Sequence, residues 1–485
     1  MLSKSHVLTG LQCLKRLHLE THASELAEPP DPRAEGMRAL GTEVGVIARR
    51  RFPGGVLVQG PHEEAVRATR ALLADASVPA IYEAAFERDG VAVRVDALTR
   101  AGRGWDLVEV KSGTRIRRHH ELDLAIQLRV VEGSVPVARA YLMHLEREYV
   151  FDGGPCDFAA LFTLRDCTPR ARTLAPALAE RLPAVREALA GLDPPEVATG
   201  DQCRVPYRCP FFAHCHAGGP EHPLRELPRL SVPQLAWLEG RGIVDLRDVP
   251  DDLPRLSPRQ KRVRDVVRAG TPFRDPAVAQ ALAAVVFPAH FLDFETASTP
   301  IPAYAGTRPF EAIPFQWSDH VVDGGEIIAH HEFLHRGGSD PRRAVATSLL
   351  EVARDAGSIV AYSGYEADVL AALASALPDL SEALHALRAR IVDLLPIVRA
   401  HYYHPRLRGS FSIKAVLPAM VPGASYDDLE IREGFMAMRA RAEMIDPDTP
   451  PARREELARQ LLAYCGADTA AMVALYRALR DGRDG

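Results

Sequence analysis

Asp96, Glu109 and Lys111 fall in two runs of alternating residues, VAVRVDALT (91–99) and WDLVEVKS (105–112), separated by the turn-prone AGRG. On a strand, Glu109 and Lys111 leave the same face, and Asp96 on a neighbouring strand can meet them there. Two converging carboxylates suit a hard divalent ion, and an ammonium beside them orients or helps to deprotonate the water that attacks a phosphate. Asp123 and Gln127, four apart on the helical stretch that follows, can face the same point. A second set begins at HFLDFETAS, where Asp293 and Glu295 alternate on an apolar strand. Two acids on one buried face repel each other unless a cation lies between them. LLAYCGADTAAMVALY then stacks Tyr464 and Asp468 one helical turn apart, and IVAYSGYEADVL places Glu366 and Asp368 at a helix start after a short strand. The third set is thiol: Cys203, Cys209 and Cys215 recur every six residues in DQCRVPYRCPFFAHC. In a reducing compartment such cysteines serve metal or cluster binding rather than disulfides. Each set also has a plain structural reading, as exposed charges on a half-buried sheet, surface acids or core thiols.

The elements that must position these residues follow from composition and periodicity. At 485 residues the chain exceeds what one core usually holds, so two or three domains are expected, and 47% hydrophobic residues fill real cores. A net charge of -5 excludes a globally basic nucleic-acid binder. A nucleic-acid partner would be held by local clusters, for which Arg49–Arg51 and Arg115–Arg118 are candidates when they are not simply solvated faces. The chain opens MLSKSHVLTG without a long apolar segment, and no run of about eighteen apolar residues follows. A soluble, cytoplasmic protein with no membrane partner is expected. Helical spacing runs from Asp31 to Phe52, the two alternating runs form a hairpin, and helices return over 120–131 and 169–189 around the strand-like ARAYLMHL. This is a mixed α/β domain over 1–219. A Pro- and Gly-rich stretch leads into LSVPQLAWLEGRGIVDLRDVP, two short helices about Gly240 and Gly242, giving a helix-hairpin-helix-like linker over 220–275. Strands and helices alternate again from Val285 and end in an amphipathic helix from about Arg453 to Leu479, a second α/β domain over 276–485. The sequence has no G-x4-G-K-[ST] loop for an ATP motor, so unwinding would fall to a helicase partner in trans.

RVDAL, DLVEVKSGT and DLAIQ together resemble the core of the PD-(D/E)XK nucleases of the RecB type. The resemblance implies a restriction-endonuclease-like mixed sheet with helices. It makes Asp96 and Glu109 metal ligands, gives Lys111 the activation of water and places Gln127 at the family's helix glutamine. Glu43, in RALGTEVGVIARR, matches the acid of the first core helix, while Val131 stands where the family often has tyrosine. Within this superfamily, CRISPR-associated nucleases and AddB-type subunits carry one cysteine near the N-terminus and three after the core. The matching residues are Cys13, in GLQCLKRLHL, with Cys203, Cys209 and Cys215. The resemblance implies a [4Fe-4S] cluster on these four thiolates, stapling the two ends of the domain. Structural zinc is the rival, because His214 and His216 flank Cys215, although most zinc sites pair ligands two to four residues apart. Cys156, Cys167 and Cys465 read as small core residues.

D-x-E on a first strand, an acid after a Tyr-Ser-Gly turn and Y-x3-D on a last helix resemble the DEDDy exonucleases of the DnaQ, ribonuclease-H-like class. That resemblance gives Asp293, Glu295, Glu366 and Asp468 two metal ions, Mg²⁺ or Mn²⁺, and gives Tyr464 the positioning of water. Ser363 stands where asparagine is common and Glu366 where aspartate is usual, with Asp393 in RIVDLLPIV a plausible neighbour. The segment GSFSIKAVLPAMVPGASYDDL (409–429) lies outside general exonuclease patterns. With the N-terminal half, it resembles a bacterial family of RecB-type nucleases carrying a C-terminal ribonuclease-H-like domain. The expectation is a metal-dependent nuclease with two sites, acting on DNA in preference to RNA. A non-catalytic nucleic-acid binding or assembly protein with decayed sites, and an RNA-processing nuclease, are the alternatives.

Overall fold

Val91, Val93 and Val95 alternate with polar residues and point into one core, so the run becomes a strand, β4 (Val91–Ala101), in a seven-stranded sheet. The other strands are β1 (Leu2–Ser3), β2 (Val56–Leu57), β3 (Ala80–Arg88), β5 (Gly104–Lys111), β6 (Val137–Leu145) and β7 (Phe162–Asp166). Their order is β2-β3-β4-β5-β6-β7, with β1 beside β4. Gly102, at φ 58°, supplies the left-handed turn that folds β5 back antiparallel on β4. A parallel crossover then joins β5 to β6. Helices α1 (Lys4–Gln12), α2 (Leu14–His22), α3 (Pro32–Ala48), α4 (His62–Ala74), α5 (Arg118–Val131), α6 (Phe158–Leu161), α7 (Thr168–Ala190) and α8 (Phe212–Cys215) complete the set. One sheet face, with Leu107 and Leu142, packs on Leu124, Leu128 and Leu182 of α5 and α7, and the other, with Val108 and Met143, packs on Val44 and Ala48 of α3.

The structure, a computed structural model, describes residues 1–426 and 428–482, so Asp427 of the 409–429 segment lies outside the described residues. By packing, the chain divides into two units, Met1–Ala217 with Thr299–Glu311, and Gly218–Ser298 with the chain from Ala312. The second unit has a five-stranded sheet in the order β11-β10-β9-β12-β13, made of β9 (Ala289–Ala297), β10 (Ile313–Asp323), β11 (Glu326–Leu334), β12 (Ile359–Ala361) and β13 (Ile391–Asp393). Strands β9, β10 and β11 are antiparallel, whereas β12 and β13 run parallel to β9. A small ribbon pairs β8 (Phe273–Arg274) with β14 (Tyr402–Tyr403). The helices are α9 (Val232–Glu239), α10 (Pro258–Ala269), α11 (Val278–Leu282), α12 (Arg342–Val352), α13 (Tyr365–Ala376), α14 (Ser381–Ala389), α15 (Leu394–His401), α16 (Ile413–Met420), α17 (Gly434–Ile445) and α18 (Pro451–Asp481).

The region read as a linker over 220–275 differs from that expectation. Leu224, Leu238, Leu246, Val263 and Val267 share one core with Phe291, Tyr402 and Tyr476, so the region is built into the second unit. Their apolar burial outweighs the Pro and Gly content that suggested a spacer. The second short helix of the expected hairpin is a single turn over Leu246–Asp248, and the next full helix is α10. The 299–311 stretch, placed by sequence in the C-terminal domain, packs with the first unit through Ile301 and Phe310.

Candidate functional site

In the second unit, β9 sends Phe291 into the core beneath α18 while Leu292 and Phe294 enter the opposite core, so Asp293 and Glu295 emerge on the α18 side. One oxygen each from Asp293, Glu295 and Asp468 lies within 4.8 Å of the others. Glu366, from the first turn of α13, joins them in an open cleft of about 250 Å³ that Tyr362, Lys414 and Tyr464 also line. Glu295, Glu366 and Asp468 are buried, and Glu366 Oε2 and Asp468 Oδ1 have no hydrogen-bond partner among the described residues. A buried carboxylate oxygen left unpaired costs free energy that only a bound cation or a proton relieves. Burial, then the charge of Asp468, pushes Glu295 up to about 8. Burial, then Asp393 and Asp368, pushes Glu366 up to about 7. Asp293 and Asp468 are raised by burial as well, and Asp468, Glu295 and Glu366 raise Asp293 further. The four acids therefore resist ionising together and are ready to trade protons for a metal.

Three members of this site were not anticipated. Lys414, on the first turn of α16, donates to the Tyr464 hydroxyl oxygen at 3.1 Å and to the carbonyl of Arg432. Its ammonium lies 5.0 Å from the Tyr464 ring centre and 5.2 Å from that of Tyr426. The Tyr426 hydroxyl is buried without a hydrogen-bond partner among the described residues. Burial, then the charge of Asp468, holds both phenols protonated. Lys414 and Tyr426 belong to the 409–429 segment that stood outside exonuclease patterns, and that oddity was the available signal. Cys465, read as core filler, is fully buried but places its sulfur 3.7 Å from the carboxylate and from the carbonyl of Asp293. Asp393 accepts the Leu395 amide at 2.9 Å as the cap of α15, so its carboxylate is partly spent on the backbone.

In the first unit, Trp105, Leu107, Glu109 and Lys111 share the β5 face toward α5, which brings Glu109 and Lys111 onto Asp123 and Gln127. Lys111 Nζ lies 2.7 Å from Glu109 Oε1 and 2.5 Å from Asp123 Oδ2. Gln127 Nε2 donates to Glu109 Oε2 at 2.6 Å and to Asp123 Oδ1 at 2.9 Å. Asp96 accepts the Val110 amide at 2.6 Å, beyond the last β4–β5 pair, Ala97 with Val108. An unexpected residue completes the group: Lys4 of α1 reaches Glu109 Oε1 and Asp123 Oδ1, each at 3.1 Å. Both lysines are held above their usual range, because the carboxylates outweigh a burial that would lower them. Burial alone would raise Glu109, yet Lys111 and Lys4 outweigh it and hold its carboxyl low. Glu43 is exposed on α3, and among the described residues no hydrogen bond or ion pair ties it to this group. The basic run at 49–51 is engaged in the fold, with Arg49 on Glu83 at 3.2 Å and Arg50 over the ring of Phe158.

Cys13, Cys203, Cys209 and Cys215 line a single pocket, so the structure brings the two distant cysteine segments together. Cys13 sits between α1 and α2, its sulfur accepting the Arg16 amide at the start of α2. Gln12 donates to the carbonyls of Gln202 and Tyr207 at 2.7 and 2.8 Å, and Arg208 pairs with Glu28 at 2.7 Å. Burial raises the thiols of Cys209 and Cys215. His216 instead stacks on Phe212, with ring centres 3.8 Å apart, and bonds the Phe212 carbonyl at 2.8 Å. Tyr207, between two of the cysteines, meets His119 at the start of α5 at 3.1 Å.

A family described as a domain of unknown function, DUF2779, matches residues 290–412. The match includes Asp293, Glu295 and Glu366 and stops before Lys414, Tyr464 and Asp468. No curated protein and no solved structure matches the chain. Among the described residues, no helix is long and apolar enough to cross a membrane.

Proposed function

We propose that the protein is a metal-dependent phosphodiester hydrolase acting on nucleic acid, with the site of reaction in the second unit. The observation that carries this reading is the convergence of Asp293, Glu295 and Asp468 within 4.8 Å, with Glu366 in the same cleft and buried carboxylate oxygens left unpaired. Such a donor set fits two Mg²⁺ or Mn²⁺ ions. When bound, the ions supply a nucleophilic water at neutral pH and charge stabilisation at the leaving oxygen. The antiparallel β9-β10-β11 meander followed by parallel β12 and β13 supports the ribonuclease-H-like reading. Tyr464 keeps its proton, takes a hydrogen bond from Lys414 and lines the cleft one helical turn from Asp468, which suits it to orient a water there. Lys414 lowers the cost of ionising Glu295 and Asp468.

The first unit's β3-β4-β5 meander, α5 crossover and parallel β6 support the RecB-type PD-(D/E)XK reading. The carboxylates of Glu109 and Asp123 do not fit a divalent ion as folded, because Lys4, Lys111 and Gln127 already engage all four of their oxygens. That saturation favours a binding or assembly role for this unit, and no hydrolytic step is assigned to it.

For the thiols we favour a structural [4Fe-4S] cluster, whose contribution is to tie α1 and α2 to the 203–215 segment. The observation that supports a shared group is that Cys13, Cys203, Cys209 and Cys215 line one pocket. Brown protein with about equal iron and sulfide, bleached by Cys209→Ala, is expected, and colourless protein with stoichiometric zinc would overturn the cluster.

The activity test uses single-stranded DNA, duplex DNA and RNA with Mg²⁺ or Mn²⁺, comparing wild type with Asp293→Ala, Lys111→Ala and the double variant. Loss of cleavage with Asp293→Ala and retention with Lys111→Ala is expected. Cleavage that survives in the double variant would remove both sites from consideration, and no cleavage by anaerobically prepared wild type would favour a non-catalytic binding protein.

A further inference from the structure

Four arginines converge on one face of the second unit, carried there by three separate segments. Gln260 of α10 bonds the carbonyls of Pro228 and Arg229 at 2.9 and 3.4 Å, which fixes Arg229 beside the start of α10. Arg262 bonds the carbonyls of Arg399 and Ala400, which fixes the end of α15 beside the same helix. Arg259 stacks over Phe411 at 4.5 Å, and Arg262 over Phe273 at 4.3 Å. A guanidinium stacked on a ring keeps its N–H edge free for a planar or tetrahedral oxyanion.

Among the described residues none of the four makes an ion pair within 4.0 Å, and Arg259 Nε is buried without a hydrogen-bond partner. Asp275, which holds His401 at 3.0 Å, is the carboxylate whose charge reaches Arg262. Burial, then the charges of Arg399, Arg229 and Arg262, holds Arg259 below the usual arginine range. Like charges three apart on a helix destabilise it, so Arg259 and Arg262 work against the fold unless an anion sits over them. The group is also continuous with the acidic cleft. Tyr362 lines the cleft and donates to the Phe411 carbonyl at 2.8 Å, and the Arg399 charge reaches both Tyr362 and Asp393.

We propose that Arg229, Arg259, Arg262 and Arg399 form a binding track for the phosphodiester backbone of the strand whose scissile bond enters the Asp293 cleft. The proposal rests on the hydrolase reading and adds the means of holding the substrate. It gives the 220–275 region a function, with α10 as a phosphate-binding element rather than a spacer.

The test is the affinity of a labelled single-stranded DNA oligonucleotide for the full chain, in EDTA and an Asp293→Asn background, across a salt series. Arg262 is left intact because it anchors α15. The triple variant Arg229→Gln, Arg259→Gln, Arg399→Gln should bind at least tenfold more weakly and lose about 2 from its log–log salt slope, at ~0.7 per phosphate contact. The matching triple lysine variant should recover most of the slope. Arg343→Gln, which removes a partner of Asp379 elsewhere on the unit, should leave the slope unchanged. Unaltered affinity and slope in the triple glutamine variant, with an unaltered melting curve, would overturn the track. If Asp293→Asn still abolishes cleavage in that case, the hydrolase reading stands alone. Wild type that neither binds nor cleaves the oligonucleotide would overturn both.

Discussion

Individual side chains in the two acidic groups solve one electrostatic problem in opposite ways. Around Asp293 the acids are left without enough positive charge, so Glu295 sits at about 8 when no metal is bound. Glu295→Gln should therefore raise the melting temperature of the metal-free protein by about 2–4 °C while lowering turnover ~100-fold or more. Parallel thermal melts and cleavage rates check both halves, and a variant that loses stability and activity together would argue for a merely structural acid. Mn²⁺ should raise the melting temperature of the wild type and leave Asp293→Asn nearly unmoved. Around Glu109 the carboxylates already own two ammoniums. Lys4→Met should remove one of the two ammoniums, leaving Lys111 on Glu109 and Gln127 on Asp123, and raise Mn²⁺ affinity there at least tenfold, about 1.4 kcal/mol, measured by titration calorimetry in the Asp293→Asn background. Lys111 and Gln127 were legible from D…E-x-K and the helix glutamine, because strand and helix periodicity put them on one face. Lys4 was not, because it meets Glu109 across 105 positions of sequence.

Among the elements, β9 does more than present Asp293 and Glu295. Near its start, His290 is buried with Nδ1 2.6 Å from Asp319 and Nε2 3.0 Å from Asp355, which in turn pairs with Arg390 at 3.2 Å. Burial would lower His290, yet the two carboxylates outweigh it and hold the ring charged above its ordinary 6.5. Its folded pKa exceeds the unfolded one, so the stabilisation is fully present below about 6.5 and fades as pH rises through the raised value. Burial would raise Asp355, but His290 and its backbone bonds hold it low, so its share is lost as pH falls below the ordinary carboxylate range. The second unit should melt highest in weakly acidic buffer. His290→Gln should cost about 3–5 kcal/mol and flatten the decline in melting temperature between neutral and alkaline pH. A variant that keeps the wild-type pH slope would assign that slope to another group. The hairpin β4–β5 and the one-turn pairing of Tyr464 with Asp468 were readable from alternation and helical spacing, which are local. The role of α10 was not, because its Val263 and Val267 find their core partners in Phe291 and Tyr402.

On the scale of the whole molecule, the proposed cluster on the four cysteines that share one pocket would tie the first helices to the segment near residue 200. Cys209→Ala should release that tie, which for so long a loop is worth on the order of 4 kcal/mol. Hydrogen exchange should rise across α1, α2 and 203–215, with β9 to β13 unchanged. Exchange that stays slow throughout would show that hydrogen bonds such as Gln12 to Gln202 hold the segments without the thiols. The sequence by itself determined the mixed α/β class, the strands that carry Asp96, Glu109, Asp293 and Glu295, the helix that carries Tyr464 and Asp468, and the candidate cysteines. Those depend on periods of two and 3.6 residues and on the chemistry of each side chain. Only the tertiary structure decided that 220–275 joins the second unit and that 299–311 packs with the first. It alone placed Lys4 on the carboxylates of one site, Lys414 beside Tyr464 in the other, and an arginine track next to the cleft. These are contacts between distant segments, fixed by which apolar faces bury together, and no local pattern records that choice.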